Sequence, residues 1–202
     1  MRGLYAITPD WADTARLVRV SEMILAAGCR LLQYRNKTVS DCHRQEQAVA
    51  LRGLTRRYGA TLIVNDDLEL ADFCEADGVH LGGEDGDLGT ARQRLGAHRF
   101  LGASCYQSVD LARQAVAAGA DYVAFGSVYP SPTKPLALRA GVELFAAPLG
   151  VPRCAIGGIT PDNALPLVKA GADLLAVISA LYDAPDPAVA TRSFLSLYKD
   201  CP

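Results

Sequence analysis

The chain repeats one phrase along its length: a helical stretch, a Gly and then a short apolar run. The clearest copies place Gly28 before residues 29–32, Gly59 before 60–64, Gly119 before 120–124 and Gly171 before 172–177. A Gly there suits the residue after a helix, where the backbone adopts a positive φ. The apolar runs lack strict alternation, which is typical of strands buried on both faces. The phrase therefore predicts helices that alternate with buried parallel strands.

Eight such strands can be placed in the 202 residues, with helices between them. They are predicted at residues 3–8, 30–35, 61–65, 78–81, 99–103, 121–126, 152–156 and 173–178. Eight βα units in a chain of this length make a short TIM (β/α)8 barrel, an α/β fold, with little room for a second domain. We therefore expect one TIM-barrel catalytic domain over residues 1–202. Alternation alone leaves a doubly wound open sheet as the alternative.

The helical segments carry their own signals. Two of them have apolar residues at helical spacing, namely Leu17, Val20 and Ile24, and Ala48, Leu51 and Leu54. Ser108 is a candidate N-cap, and Thr160-Pro161-Asp162 matches an N-cap followed by N1 and N2. Pro166 then falls inside the helix that begins there and is expected to bend it.

Composition excludes several classes of protein. Half of the residues are hydrophobic and 21% are charged, so disorder, collagen and coiled coil are excluded. The 20 basic and 22 acidic residues give a net charge of −2 without a basic run, which argues against a nucleic-acid partner. The sequence shows neither a signal-peptide core nor a membrane-length apolar stretch, so we expect a cytoplasmic protein without a membrane partner. A homo-oligomer is compatible with these features.

The six cysteines are scattered, without a C-x-x-C pair or zinc spacing. We expect reduced thiols that fill small apolar sites.

The active site of a parallel barrel forms where the strands end. The predicted strands end in or near Thr8, Gln33, Arg35, Asn65-Asp66, Glu84-Asp85, Ser104, Gly126-Ser127, Gly157-Gly158 and Ser179. This set is rich in phosphate donors, carboxylates that suit a metal, and glycines. It indicates more than polar loops after apolar strands.

Gln33, Arg35 and Lys37 have the spacing that puts side chains on one face of a strand. Two cations and an amide would then point into one space. A buried charge requires a partner, so we interpret the three as an anion-binding group.

Two acidic pairs, Asn65-Asp66-Asp67 and Glu84-Asp85, follow neighbouring strands. Mg²⁺ is typically held by one or two protein carboxylates, with water and substrate phosphate in its other positions. Asp66 and Asp85 are the candidate ligands. Asp67 and Glu84 are expected to cap the next helices.

Two further stretches suit phosphate. Residues 128–135 form a proline-stiffened loop with two hydroxyls and a cation, although such a loop can also be a mere connector. Gly157-Gly158 after the seventh strand and Ser179 after the eighth match the usual phosphate site of this barrel, although the glycines could also form only a tight turn. His43 and His98 are expected at the surface, and His80, inside a strand, is interpreted as a structural imidazole.

Six phrases, in register along nearly the whole chain, together resemble the thiamine-phosphate synthase family. They are Gln33-Tyr34-Arg35-Asn36-Lys37, Asn65-Asp66-Asp67, Gly78-Val79-His80-Leu81-Gly82 with Glu84-Asp85, Pro130-Ser131-Pro132-Thr133-Lys134, Ile156-Gly157-Gly158-Ile159 and Val177-Ile178-Ser179-Ala180. The resemblance implies a TIM barrel that joins hydroxymethylpyrimidine diphosphate to a thiazole phosphate, with or without a carboxylate, in the presence of Mg²⁺. Many members of the family have Thr-x-Thr where this chain has Ser131-Pro132-Thr133.

The resemblance also implies roles for individual residues. The pyrimidine diphosphate would be held by Gln33, Tyr34, Arg35, Asn36, Lys37, Asn65, Ser104 and Lys134, of which Arg35, Lys37, Ser104 and Lys134 would be catalytic. The thiazole phosphate would contact Ser131, Pro132, Thr133, Gly158, Ile178 and Ser179. Mg²⁺ would be held by Asp66 and Asp85.

The implied reaction needs stabilisation of a departing diphosphate, which cations and Mg²⁺ provide, and no obvious protein base. Two alternatives remain. A tautomerase-like branch of the superfamily uses a His after the sixth strand, whereas this chain has no His after His98. A non-catalytic phosphate sensor on the same barrel would not need both carboxylates and Lys134.

Overall fold

The computed structural model describes residues 1–83, 86–130 and 139–199, which form a closed barrel of eight parallel strands in sequence order. The strands are β1 (Gly3–Ile7), β2 (Leu31–Tyr34), β3 (Thr61–Asn65), β4 (Gly78–Leu81), β5 (Phe100–Tyr106), β6 (Tyr122–Gly126), β7 (Arg153–Ile156) and β8 (Leu174–Val177). β1 pairs with β8, for example Tyr5 with Ala176, so the sheet has no open edge. The predicted TIM barrel is confirmed, and the open sheet is excluded.

Helices cover the outside of this barrel. They are α1 (Thr14–Ala26), α2 (Asp41–Arg57), α3 (Leu68–Phe73), α4 (Leu88–Leu95), α5 (Val109–Ala117), α6 (Leu165–Lys169), α7 (Ser179–Tyr182) and α8 (Pro187–Ser196). A short 3₁₀ helix, Val142–Ala146, lies between β6 and β7. None of the helices in the described ranges has the length and apolar character needed to cross a membrane.

The recurring Gly performs the predicted function. In four helices the C-cap residue is followed by a glycine with a positive φ, which is 113° at Gly28, 58° at Gly59, 97° at Gly119 and 103° at Gly171. Residues that carry a side chain rarely adopt such a backbone conformation, so a Gly ends each of these helices and leads the chain into the next strand.

Several predicted helix starts can be compared with the structure. Ser108 caps α5 by accepting a hydrogen bond from the Leu111 amide at 3.2 Å, and Asp67 caps α3 through the Leu70 amide at 2.8 Å; both predictions are confirmed. Asp87, not Glu84, caps α4, and Glu84 itself lies outside the described residues.

The predicted start at Thr160 is wrong. The Asn163 amide donates to the Thr160 carbonyl at 3.2 Å, which closes a turn over residues 160–163, and α6 begins only at Leu165. Pro166 therefore lies in the first helical turn rather than in the interior. Amides of the first turn have no partner within the helix, so Pro166 causes no bend of the kind predicted.

The core has two layers. One fills the barrel and includes Tyr5, Ile7, Leu31, Ile63, Tyr122 and Cys154, whereas the other lies between the strands and the helices. Inside the barrel, side chains change from apolar to polar towards the carboxyl ends of the strands: Leu31 is followed by Gln33 on β2, and Ile63 by Asn65 on β3. The packed part of the barrel thus supports a polar mouth.

Four of the cysteines, Cys29, Cys74, Cys105 and Cys154, are free and buried, as predicted. Cys42 is exposed on α2, so the prediction is wrong for this residue, and Cys201 lies outside the described residues.

Three aspartates lie at the opposite end of the barrel, each directly before one of the strands β4, β6 and β8. Each accepts a backbone N–H from the preceding strand and an arginine side chain. The sets are Asp77 with Leu62 and Arg52, Asp121 with Leu101 and Arg92, and Asp173 with both groups of Arg153. These contacts fix the strand register far from the mouth.

Removal of one of these carboxylates should destabilise the fold. In Asp77→Ala, Arg52 loses both of its bonds, at 2.7 and 2.9 Å, and the Leu62 amide loses its acceptor. We expect the free energy of unfolding to fall by about 2 kcal/mol in urea denaturation. Glu75→Ala, which breaks the exposed pair with Arg56, should cost no more than about 0.5 kcal/mol. Equal losses in the two variants would contradict this account of barrel closure.

Candidate active site

A continuous hydrogen-bond chain crosses the barrel interior below the mouth. The Gln33 side-chain nitrogen donates to the Tyr5 hydroxyl at 2.8 Å, and the Tyr5 and Tyr122 hydroxyls are 2.8 Å apart. The Tyr122 hydroxyl lies 3.1 Å from His80 Nδ1, and His80 Nε2 lies 2.9 Å from the Ser104 hydroxyl. The chain joins five strands and ends in two predicted site residues, Gln33 and Ser104.

Burial keeps this chain neutral. It raises the pKa values of Tyr5 and Tyr122 far above the usual tyrosine range and lowers the pKa of His80 to about 4. His80 is therefore an uncharged imidazole near pH 7, as expected of a structural residue, and it also contacts a predicted site residue. Gly102 permits the packing, because a Cβ there would lie 2.1 Å from the Tyr122 ring and 2.5 Å from His80 Nδ1.

The predicted anion-binding cations follow β2, and each contacts a carboxylate. Arg35 Nη1 lies 2.7 Å from Asp10 Oδ2, and Asp10 Oδ1 accepts the Lys37 amide at 2.7 Å. Lys37 Nζ lies 2.9 Å from Asp66 Oδ2. Arg35 is half-buried and Lys37 is exposed, so the premise of buried charge is wrong for Lys37, and the partner expected for Arg35 is present within the protein, in Asp10.

Asp66 lies at the carboxyl end of β3 with a positive φ of 60°. Its amide donates to the carbonyl of His80 at 2.9 Å, and its Oδ2 accepts the Asn65 side-chain amide at 2.5 Å. The structure therefore brings Asn65, Asp66 and Lys37 together. Asp85 lies outside the described residues, and the described residues contain no group of three or more potential metal-ligating side chains.

Two predicted substrate contacts face elsewhere. Tyr34 is buried towards the helices, where its hydroxyl donates to Gln47 on α2 at 2.9 Å. The Asn36 side chain donates to the carbonyl of Trp11 at 2.9 Å and accepts the Thr38 amide at 3.1 Å. The structure does not bring these two side chains together with Gln33 and Ser104. Tyr34 and Gln33 are neighbours on β2 and face opposite sides of the sheet, and Asn36, beyond the end of β2, is held by the Trp11 carbonyl. They instead hold the segment that carries Arg35 and Lys37.

The other half of the mouth is formed by β7 and β8. Gly157 and Gly158 follow β7 with φ of 107° and 62°, and the Gly158 carbonyl accepts the Asn163 side chain at 3.0 Å. Ile178 packs over the barrel interior, and Ser179 begins α7. Ser131, Pro132, Thr133 and Lys134 lie outside the described residues.

A cavity of about 610 Å³ lies at the far end of the barrel from these residues. Its lining includes Arg52, Arg56 and Arg99, and each is paired with a carboxylate of the same cavity. The cavity lies at the amino ends of the strands, whereas the active site of a parallel barrel forms at their carboxyl ends.

Comparison with known proteins agrees with this geometry. A sequence model of the family described as thiamine monophosphate synthase matches residues 4–181. The chain belongs to the thiamine monophosphate synthase family. A thiamine-phosphate synthase of Methylobacillus flagellatus is 54% identical over 98% of this chain and 96% of its own length. One of Thiobacillus denitrificans is 57% identical over 91% of this chain and 89% of its own length.

A solved structure of a family member also matches the whole fold. The thiamine phosphate pyrophosphorylase of Pyrococcus furiosus superposes with a TM-score of 0.87 at 35% identity, over 98% of this chain and 96% of that one. The family resemblance of the sequence motifs is thus confirmed, and relatives named as synthases favour the synthase over the tautomerase-like alternative.

Three residues of the candidate active site were not recognised as site residues from the sequence. Tyr5 and Tyr122 looked like ordinary apolar strand residues, and Asp10 looked like part of a turn. A tyrosine that points into a narrow barrel needs a hydrogen-bond partner for its hydroxyl, so two inward-facing tyrosines could have indicated a buried hydrogen-bond network.

His80 should make stability depend on pH. The unfolded chain binds a proton at His80 near pH 6.5, whereas the folded chain does so only near pH 4, so stability is complete above the first value and falls as the pH drops towards the second. We expect a loss of about 3 kcal/mol over this window.

Urea unfolding at several pH values between 4 and 7.5 would measure this effect. In His80→Gln, which has no titratable group at this position, the free energy of unfolding should fall by about 3 kcal/mol less over the same pH range. The same pH dependence in both proteins would show that His80 is not a buried neutral imidazole.

Proposed function

We propose that this chain joins 4-amino-5-hydroxymethyl-2-methylpyrimidine diphosphate to 4-methyl-5-(2-phosphoethyl)thiazole to make thiamine phosphate and diphosphate. With the carboxylated form of the thiazole, CO₂ would be released as well. The thiazole nitrogen forms a bond to the pyrimidine methylene carbon, and the bond from that carbon to the diphosphate oxygen breaks. Family membership and the synthase relatives support the activity. The observation that carries the assignment of the site is the division of the barrel mouth into two phosphate-suited halves.

The half formed by β2 to β5 would bind the pyrimidine diphosphate. Arg35 and Lys37 are already held near the strand ends by Asp10 and Asp66, so they lose little conformational freedom when they bind an anion. Gln33, Asn65 and Ser104 would supply neutral hydrogen bonds, and Lys134, from the loop after β6, would add a third cation. Tyr34 and Asn36 would act indirectly, since they fix the backbone of this segment.

Mg²⁺ fits the same half. Asp66 offers hard oxygen donors at a strand end, which is the ligand type that Mg²⁺ prefers, and a cation, the ammonium of Lys37, already lies against it. Asp66 and Asp85 would hold the ion. When bound, it would neutralise charge on the diphosphate and stabilise the leaving group.

The half formed by β7 and β8 would bind the thiazole phosphate. Gly158 and Ser179 would face the phosphate, and Ile178 would pack against the thiazole ring, with Ser131, Pro132 and Thr133 from the loop after β6. The two substrates would then meet over the barrel axis, with their phosphate groups on opposite sides.

The protein's main contribution would be electrostatic. Negative charge grows on the diphosphate as the carbon–oxygen bond breaks, and Arg35, Lys37 and Lys134 would stabilise this charge. The thiazole nitrogen is already a nucleophile and needs no base. His80, buried and neutral below the mouth, is consistent with a reaction that uses no histidine base. The buried free cysteines support a reducing, cytoplasmic setting.

Asp66→Asn tests the metal site. Loss of one carboxylate charge should raise the Mg²⁺ concentration needed for half-maximal activity about tenfold or more, and calorimetric titration of Mg²⁺ should show the same weakening. Asp67→Asn is the matched control, because Asp67 caps α3 and pairs with Arg44, and Asn is also a good N-cap. A similar Mg²⁺ dependence in the two variants would remove Asp66 as a ligand.

The two halves of the mouth can be tested by a pair of variants. Ser179→Ala should raise the KM for the thiazole phosphate, and Ser104→Ala should impair use of the pyrimidine diphosphate. Loss of one hydrogen bond to a charged group costs about 1–3 kcal/mol, or roughly five- to 150-fold. Steady-state kinetics with each substrate varied in turn would measure both effects. If each variant affected both substrates equally, the assignment of the halves would be wrong.

A further inference from the structure

Tyr5, Tyr122 and His80 form the buried middle of the hydrogen-bond chain from Gln33 to Ser104, and the reaction uses none of them directly. All three are nearly inaccessible to solvent. Four consecutive contacts of 2.8 to 3.1 Å between five strands exceed what simple packing requires. Apolar side chains of the same size would fill the barrel without the need to satisfy buried polar groups.

We propose that Tyr5, Tyr122 and His80 are positioning residues that fix the Ser104 hydroxyl as a hydrogen-bond donor, and the Gln33 side-chain oxygen as an acceptor, towards the substrate at the barrel mouth. All four hydrogen bonds of this buried series would therefore be donated in one direction, from Gln33 towards Ser104. This inference rests on the proposed function only for the identity of that substrate.

The direction follows from the number of hydrogens. Gln33 Nε2 can only donate, so the Tyr5 oxygen accepts from it. The one hydroxyl hydrogen of Tyr5 then has the Tyr122 oxygen as its acceptor, since buried donors in proteins are paired. The Tyr122 hydrogen in turn goes to His80 Nδ1.

His80 then completes the direction. A neutral imidazole that accepts at Nδ1 carries its hydrogen on Nε2, and this hydrogen is donated to the Ser104 oxygen. The hydroxyl hydrogen of Ser104 is left for a ligand. The two partners of the His80 ring, the hydroxyls of Tyr122 and Ser104, are uncharged, so neither contact requires a doubly protonated ring.

This direction suits the proposed substrate. Diphosphate oxygens and pyrimidine ring nitrogens can only accept, so they require a donor such as Ser104, whereas an exocyclic amino group requires an acceptor such as Gln33 Oε1. The opposite direction would present an acceptor at Ser104, which would leave a facing diphosphate oxygen without a partner.

The tautomer of His80 in the ligand-free protein tests the proposal. With ¹⁵N-labelled histidine, long-range ¹H–¹⁵N NMR spectra should show His80 near pH 7 with hydrogen on Nε2 and a bare Nδ1. The protein has three histidines, so the variants His43→Gln and His98→Gln assign the histidine signals without a change to the buried hydrogen-bond series. A hydrogen on Nδ1, or a doubly protonated ring, would overturn the proposal.

Two variants that each remove one buried hydroxyl separate positioning from packing. Tyr122→Phe deletes the donor to His80 Nδ1, so we expect a mixture of His80 tautomers and a loss of about five- to tenfold in kcat/KM for the pyrimidine diphosphate. Tyr5→Phe leaves that donor in place, so His80 should keep its hydrogen on Nε2.

If Tyr122→Phe retained the wild-type tautomer and activity, or if both variants gave the same tautomer, the positioning role would be refuted. The tautomer is read without substrate. Absence of synthase activity would thus count against the proposed function while leaving the direction of the chain measurable.

Discussion

The interior of an eight-stranded barrel is only wide enough for side chains to fill it, so an inward-pointing polar group must find its partner among other inward-pointing groups. In this protein that constraint is met by Gln33, Tyr5, Tyr122, His80 and Ser104, which hydrogen-bond in series across the barrel. The series needs the bare backbone of Gly102, because any side chain there would displace Tyr122 and His80. The packed barrel is thereby joined to the side chains at its mouth, and Gln33 and Ser104 are held by the core itself.

The charged groups above this layer obey a related rule. Arg35 is paired with Asp10 and Lys37 with Asp66, so the mouth holds compensated charge in the described structure. A site built this way can bind an anion and a cation together with little net change in charge, since each protein cation gains an anion as each carboxylate gains a cation. Such a site suits a diphosphate that arrives with Mg²⁺ better than it suits either alone. Gly157, Gly158 and Ser179 follow β7 and β8, whereas the charged residues Arg35, Lys37 and Asp66 follow β2 and β3.

The sequence predicted the barrel well because its signals were local. A Gly after each of several helices and apolar runs of strand length predicted the eight strands in the right places, and Ser108 and Asp67 were recognisable as caps. Contacts between distant parts of the chain were not predicted. Asp10 lies 25 residues from Arg35, and Tyr5 lies 117 residues from Tyr122, so neither pair leaves a local pattern. The predicted start of α6 at Thr160 is wrong because a turn over residues 160–163, closed by the bond from the Asn163 amide to the Thr160 carbonyl, precedes the helix.

In the proposed reaction, the two halves of one barrel mouth bring together a departing diphosphate and a nucleophilic thiazole. The most direct measurement is to incubate the purified protein with the aminopyrimidine diphosphate, the thiazole phosphate and Mg²⁺, and to quantify thiamine phosphate and diphosphate over time. We expect the two products to appear at equal rates and neither to appear when the thiazole phosphate is omitted. Folded protein that forms no thiamine phosphate, or that releases diphosphate at the same rate without the thiazole, would contradict the proposed reaction.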